Sequence, residues 1–123
     1  MIGYTTIGVA HMDKAKAFYC DLFADKGAKV LVDAGRIAMI GPKMGEPMVA
    51  VCTPYDGEAP NCGNGGMIAF PSPTKDDVAA MYERAISLGA TDEGEPGQRV
   101  EGRFYGAYVR DPDGNKLCFY VFG

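Results

Sequence analysis

One supersecondary pattern occurs twice along the chain, and this repetition restricts the fold more than any other feature. In each half, a strand candidate precedes an amphipathic helix whose apolar side chains recur at a spacing of three and four residues. The matching helix positions, offset by about 63 residues, are Phe18, Tyr19 and Leu22 in the first half and Met81, Tyr82 and Ala85 in the second. The sequence therefore predicts two tandem βαβββ modules, with a generic α+β domain and coincidental helix spacing as the alternative.

The remaining elements of each module follow from alternation of apolar side chains and from turn-forming residues. The strand candidates are residues 2–10, 28–32, 36–40 and 48–53 in the first half and 67–70, 104–110 and 116–122 in the second. Thr74 is the predicted N-cap of the second helix, with Asp77 at the capping-box position, and Gly89 is its predicted end. We expect a single domain with module one at 1–54, a Gly- and Pro-rich linker at 55–65 and module two at 66–123.

Each predicted module covers one face of its sheet with a helix and leaves the other face bare. Two such modules can combine into a curved eight-stranded mixed sheet around a cavity, with the helices on the convex face. We therefore expect an α+β fold in which any ligand site lies on the faces turned away from the helices.

Composition excludes several classes of function. Sixteen acidic and twelve basic residues give a net charge of −4, which weighs against a nucleic-acid partner and mildly favours a neutral or cationic ligand. No apolar run approaches the roughly 18 residues of a membrane span, and no basic segment leads into an apolar one at the N-terminus. We expect a cytoplasmic protein that binds neither nucleic acid nor membrane.

The chain lacks the histidines that a His-rich metal site would need. His11 is the single histidine, and the four cysteines form no C-x-x-C motif. This spacing matches no zinc or redox pattern, and we expect the cysteines to be free thiols. His11 falls between the first strand and the first helix, where we expect it to face solvent.

Two segments resemble the vicinal oxygen chelate superfamily, which includes glyoxalases, extradiol dioxygenases, fosfomycin-resistance proteins and bleomycin-binding proteins. The first is residues 7–19, in which Ile7, Gly8 and Val9 precede Asp13, Lys14, Ala15, Phe18 and Tyr19. The second is residues 105–117, with the turn Asp111, Pro112, Asp113, Gly114 and Asn115. The likeness covers nearly the whole chain and implies the fold described above and a homodimer.

The resemblance also implies positions for a metal site, and this sequence departs from it there. Where relatives that use a metal carry His, Gln or Glu, this chain has Tyr4, Met67 and Cys118. A phenol, a thioether and a thiol are poor ligands for the divalent Ni, Zn, Mn or Fe of such relatives. We therefore expect no metal and no other cofactor.

Side-chain alternation places a small set of residues in the expected cavity. The candidates for ligand contact are Tyr4, Thr6, Met67, Tyr105, Cys118 and Tyr120. Among them Tyr105 and Cys118 are weak catalytic candidates, although a buried cysteine more often acts as a small hydrophobic residue. Arg99, Arg103 and Tyr55 could also orient a polar ligand.

Two functions remain open at this point. The first is a glyoxalase- or bleomycin-resistance-like protein that binds a small molecule or performs metal-independent chemistry. The alternative is a lactoylglutathione-lyase-like lyase or isomerase, or a dioxygenase-type metalloenzyme, with unusual ligands. The glyoxalase mechanism needs a metal and a proton-transferring Glu on the last strand, and this chain has neither at the corresponding positions.

Overall fold

Eight strands and two helices follow one another in the order that the repeat predicts. The computed structural model describes residues 1–123. The elements are β1 Tyr4–Gly8, α1 Met12–Leu22, a 3-10 helix Ala24–Lys26, β2 Lys29–Asp33, β3 Ile37–Gly41, β4 Met48–Cys52, β5 Ile68–Pro71, α2 Lys75–Ser87, β6 Thr91–Val100, β7 Phe104–Arg110 and β8 Lys116–Phe122. The α+β prediction, with two βαβββ modules, is confirmed.

The chain divides into two compact units between Cys62 and Gly63, within the segment 55–65. Each unit contains one four-stranded mixed sheet and one long helix, and the eight strands are shared equally between the two sheets. Neither helix has the length and hydropathy that a membrane span requires.

The first unit has the strand order β1-β4-β3-β2. Its first and last strands pair in parallel, Tyr4 opposite Met48, and the other pairs are antiparallel. α1 contacts β2, β3 and β4. The buried side chains on this face of the sheet alternate along the strands: Ile7, Ala38, Ile40, Val49 and Val51. The buried side chains of α1 recur every three or four residues: Ala15, Phe18, Tyr19 and Leu22. The core of this unit therefore lies between α1 and one face of the sheet.

The second unit repeats this arrangement with the order β5-β8-β7-β6 and a parallel pair in which Ile68 lies opposite Leu117. The Thr74 hydroxyl caps α2 as predicted, accepting a hydrogen bond from the Asp77 amide at 3.1 Å. Gly89, at the predicted helix end, has φ +106°, a conformation that L side chains rarely adopt.

The segment between Gly89 and Phe104 contained no clear strand pattern, yet it forms the longest strand. β6 includes Gly94, Pro96 and Gly97, and its register with β7 shifts three times. Bulges of this kind destroy the strict alternation by which a strand is recognised in a sequence. The irregularity matters for the site because the glycines lie beside it.

A rigid turn joins β7 to β8 and sets the register of the two strands that carry most of the site. The buried Asp111 carboxylate accepts hydrogen bonds from the amides of Asp113 at 2.9 Å and Asn115 at 2.8 Å, and from the Asn115 side chain at 3.0 Å. Gly114 has φ +91°, as a tight turn requires. The turn therefore has a structural role.

Candidate functional site

The two faces of the second sheet differ sharply in character. Ala107, Val109, Leu117 and Phe119 are completely buried on the face that α2 covers. Side chains between them in the sequence point the other way. We call this second surface the helix-free face; on β7 and β8 it carries Phe104, Gly106, Tyr108 and Arg110, and Lys116, Cys118, Tyr120 and Phe122.

Three aromatic rings form a cluster at one end of the helix-free face. The rings of Phe104 and Tyr120 stack with centroids 5.3 Å apart and planes 7° apart. Phe122 meets both rings edge-on, at 5.9 Å and 5.0 Å. Phe122 as a whole residue remains 74% exposed. Gly106 makes room for this arrangement, because a Cβ atom there would lie 2.8 Å from the Phe104 ring.

Two cations surround a tyrosine ring further along the same face. Arg99 Cζ and Lys116 Nζ each lie 5.3 Å from the centroid of the Tyr108 ring. They belong to β6 and β8, the strands on either side of β7. The guanidinium of Arg99 also donates a hydrogen bond to the carbonyl oxygen of Glu95, which fixes its position.

The glycines of β6 provide the space for these side chains. A Cβ atom on Gly94 would lie 2.9 Å from Tyr108 Cδ2 and 3.2 Å from Arg99 Nη2, and one on Gly97 would lie 3.2 Å from Arg99 Nη1. Any larger residue at Gly94 would displace the Tyr108 ring. The irregular strand and the cation pair therefore form one structural unit.

Cys118 lies opposite Tyr108 and is completely buried. Burial raises the pKa of its thiol, while a hydrogen bond from Tyr108 and the positive charges of Lys116 and Arg99 act in the opposite direction. A nucleophilic cysteine needs an exposed thiol with a lowered pKa. The environment of Cys118 is that of a structural residue.

Two of the six predicted ligand contacts, Cys118 and Tyr120, lie on the helix-free face of β8. Tyr105 lies on the opposite face of the sheet, because it pairs with Val121 and its ring centroid lies 5.4 Å from Lys75 Nζ at the start of α2. Side chains alternate between the two faces along each strand, so Tyr108 and its partner Cys118 lie on the helix-free face, whereas Tyr105 and its partner Val121 lie on the other face.

Three further predicted contacts, Tyr4, Thr6 and Met67, lie outside β7 and β8. Tyr4 and Thr6 lie in the first unit, on the face of its sheet turned away from α1, where Tyr4 is 49% exposed. Met67 immediately precedes β5 and is 46% exposed. Tyr55 is 90% exposed and lies beside Arg36.

The sequence patterns did not assign Phe104, Tyr108, Lys116 or Phe122 to a site, and Arg99 was expected only as one of three residues that could orient a polar ligand. Alternation along β7 could have placed Tyr108 on one face with Phe104. Their alignment with Cys118 and Tyr120 depends on the pairing register, which the turn at Asp111 determines.

The first unit contains an open cleft of about 500 Å³ between the end of β1 and the segment that follows β4. Its lining residues are Val9, Ala10, Thr53, Pro54, Gly57, Glu58, Ala59 and Pro60. Glu58 is the single ionisable residue among them, and none of the predicted site residues contributes to the lining.

The residues at the family's metal positions do not fit a divalent metal. Tyr4, Met67 and Cys118 offer a phenol, a thioether and a buried thiol whose pKa is raised. Hard and borderline cations prefer carboxylate and imidazole ligands. No three His, Cys, Asp or Glu side chains lie close enough together to hold a metal ion.

Comparisons with known proteins agree with this fold. A family model described as the Glyoxalase/Bleomycin resistance protein/Dioxygenase superfamily matches residues 1–119. No curated protein matches the chain.

Two solved structures illustrate the similarity. A glyoxalase/bleomycin resistance protein from Albidiferax ferrireducens T118 is 29% identical, with 98% of each chain covered and a TM-score of 0.85. A lactoylglutathione lyase from Agrobacterium tumefaciens is 23% identical, with 98% of this chain and 92% of that chain covered and a TM-score of 0.72. The chain therefore belongs to the glyoxalase/bleomycin resistance protein/dioxygenase superfamily.

Proposed function

We propose that this protein binds a small molecule on the helix-free face of the second sheet and acts without a divalent metal. The observation that carries the proposal is the aromatic cluster of Phe104, Tyr120 and Phe122, in which the residue Phe122 is 74% exposed. Covering roughly 150 Å² of such surface contributes about 4 kcal/mol before the entropic cost of association. A flat apolar group of a ligand suits this surface.

The donor chemistry supports the metal-independent part of the proposal. The glyoxalase-type reaction uses a metal to stabilise an enediolate and a carboxylate to move the proton. The chain has Cys118 at the carboxylate position on β8, and its thiol is buried with a raised pKa. Binding, or chemistry that needs no metal, is the function that these residues support.

A neutral aromatic probe tests the binding site. We expect phenylbutanol to shift backbone amide signals of β7 and β8 in an NMR titration performed with a chelator present. Replacing the exposed ring by Phe122→Ser should weaken binding about tenfold, which corresponds to about 1.4 kcal/mol. Tyr55→Ser removes an exposed aromatic ring from the first unit and should leave binding unchanged. Equal effects of the two substitutions would contradict the proposed site.

The alternative activity is tested separately. Methylglyoxal and glutathione are supplied with and without Ni, Zn or Mn, and we expect no turnover in either case. Turnover that appears with metal and disappears on chelation would overturn the metal-independent proposal.

We also propose that the protein is a homodimer in the reducing cytoplasm. All four cysteines are free thiols, which suits a reducing compartment. Light scattering of the purified chain measures the number of subunits, and a monomer at all concentrations would refute the dimer.

A further inference from the structure

The helix-free face of the second sheet separates positive charge from aromatic surface. Moving away from the turn, its cross-strand pairs are Arg110 with Lys116, Tyr108 with Cys118, Gly106 with Tyr120, and Phe104 with Phe122. At a rise of about 3.4 Å per residue, the Tyr108 pair lies about 7 Å from the Tyr120 pair and about 14 Å from the Phe122 pair. A ligand about 10 Å long would therefore contact both ends.

The two cations beside Tyr108 have no carboxylate partner. Arg110, on the same face, forms an ion pair with Glu93 at 2.7 Å. Arg99 and Lys116 form none, and the hydrogen bond from Arg99 to the Glu95 carbonyl does not neutralise its charge. Two uncompensated positive charges at one ring are notable in a chain whose net charge is −4.

An anionic group of a ligand placed beside the Tyr108 ring would be attracted by both cations. A guanidinium binds a carboxylate through charge-assisted hydrogen bonds, and a nearby ammonium adds a second charge. A ligand ammonium at the same place would be repelled by both. The positive charge beside Tyr108 therefore favours an anionic ligand, whereas the net charge of the whole chain mildly favours a neutral or cationic one.

We propose that this face binds an aromatic carboxylate, with the carboxylate held by Arg99 and Lys116 beside Tyr108 and the aromatic ring against Phe104, Tyr120 and Phe122. This inference rests on the proposed function and adds to it the chemical class of the ligand. The spacing favours an acid whose ring and carboxylate are joined by a short alkyl chain.

Three probes of the same shape separate the contribution of charge from that of the ring. Phenylbutyrate, phenylbutanol and phenylbutylamine are titrated against the isotope-labelled full chain and followed by NMR. We expect the acid to bind about tenfold more tightly than the alcohol, and the amine to bind most weakly. Raising NaCl from about 20 mM to about 500 mM should weaken binding of the acid and leave that of the alcohol unchanged.

Two substitutions and a matched control locate the anion site. Lys116→Gln and Arg99→Gln should each weaken phenylbutyrate about tenfold while changing phenylbutanol by less than about twofold. The control is Lys75→Gln, which removes an ammonium that also lies beside a tyrosine ring, at 5.4 Å, but on the opposite face of the sheet. Because Arg99 also holds β6 through Glu95, Lys116→Gln decides the test if Arg99→Gln alters the spectrum beyond the site.

The possible results distinguish this inference from the proposed function. If the amine binds as tightly as the acid, or if Lys116→Gln has no larger effect than Lys75→Gln, the carboxylate site is refuted while binding at the face stands. If none of the three compounds shifts signals of β7 and β8, the proposed function fails as well.

Discussion

Cys118 should be far less reactive towards thiol reagents than Cys62 in the native protein. Cys118 is completely buried on β8, which is paired on one side with β5 and on the other with β7, whereas Cys62 is exposed. A reagent reaches Cys118 only when the side chains that cover it on the helix-free face move aside or this central strand opens, and the free energy of strand opening approaches that of global unfolding. Even about 4 kcal/mol makes the modification about a thousandfold slower.

The raised pKa of Cys118 acts in the same direction, because the thiolate is the reacting species. Iodoacetamide labelling at mildly alkaline pH, followed by intact mass and peptide mapping, measures the rate at each cysteine. In urea the four thiols should become similarly accessible. The variant Cys62→Ser should lose the rapid phase and retain the slow modification of Cys118.

The same experiment decides whether Cys118 is a nucleophile. If native Cys118 is modified as fast as Cys62, the thiol is accessible and activated, and the argument from burial is wrong. Rapid modification that a bound phenylbutyrate suppresses would place an active thiol within the binding face.

Three further outcomes are expected from stability measurements. Burial raises the pKa of Cys118 in the folded state, so the contribution of this thiol to the free energy of unfolding is complete below the ordinary thiol pKa and is lost as pH rises through the raised pKa. The midpoint of urea unfolding should therefore fall in alkali, and it should fall less steeply for Cys118→Ala. Thr74→Ala should lower the free energy of unfolding in urea by about 1 kcal/mol, because it removes the side-chain cap of α2. His11→Ala should lower it by less than about 0.5 kcal/mol, because His11 is an N-cap without a side-chain hydrogen bond. Equal losses would contradict the capping argument. Asp111→Ala should cost about 2 to 4 kcal/mol by thermal and urea unfolding, because it leaves amides of the turn unpaired, and a neutral substitution would refute that role.

The fold could be predicted because its signals are local and occur twice. Helix periodicity at Phe18 and Tyr19, the cap at Thr74 and the end at Gly89 each depend on a few neighbouring residues. β6 could not be found in this way, because Gly94 and Gly97 interrupt the alternation while pairing with β7 continues across the bulges.

The site was only partly predictable because it depends on contacts between distant strands. Alternation along β8 was sufficient to place Cys118 and Tyr120 on one face. Tyr105 was assigned from resemblance, and the observed pairing with Val121 places it on the face that α2 covers. The partnership of Arg99 with Tyr108 requires the path of an irregular strand, which no local pattern specifies.

The parallel pairing of the first and last strand in each unit constrains how the protein is made. β1 has its only partner in β4, and β5 has its only partner in β8. β1 and β5 therefore remain unpaired until the last strand of their own unit has been synthesised, and such non-local pairing slows folding. The first unit can close once β4 has emerged from the exit tunnel, whereas β5 stays unpaired until β8 has emerged. The second unit, with its helix-free face, is thus assembled after the first.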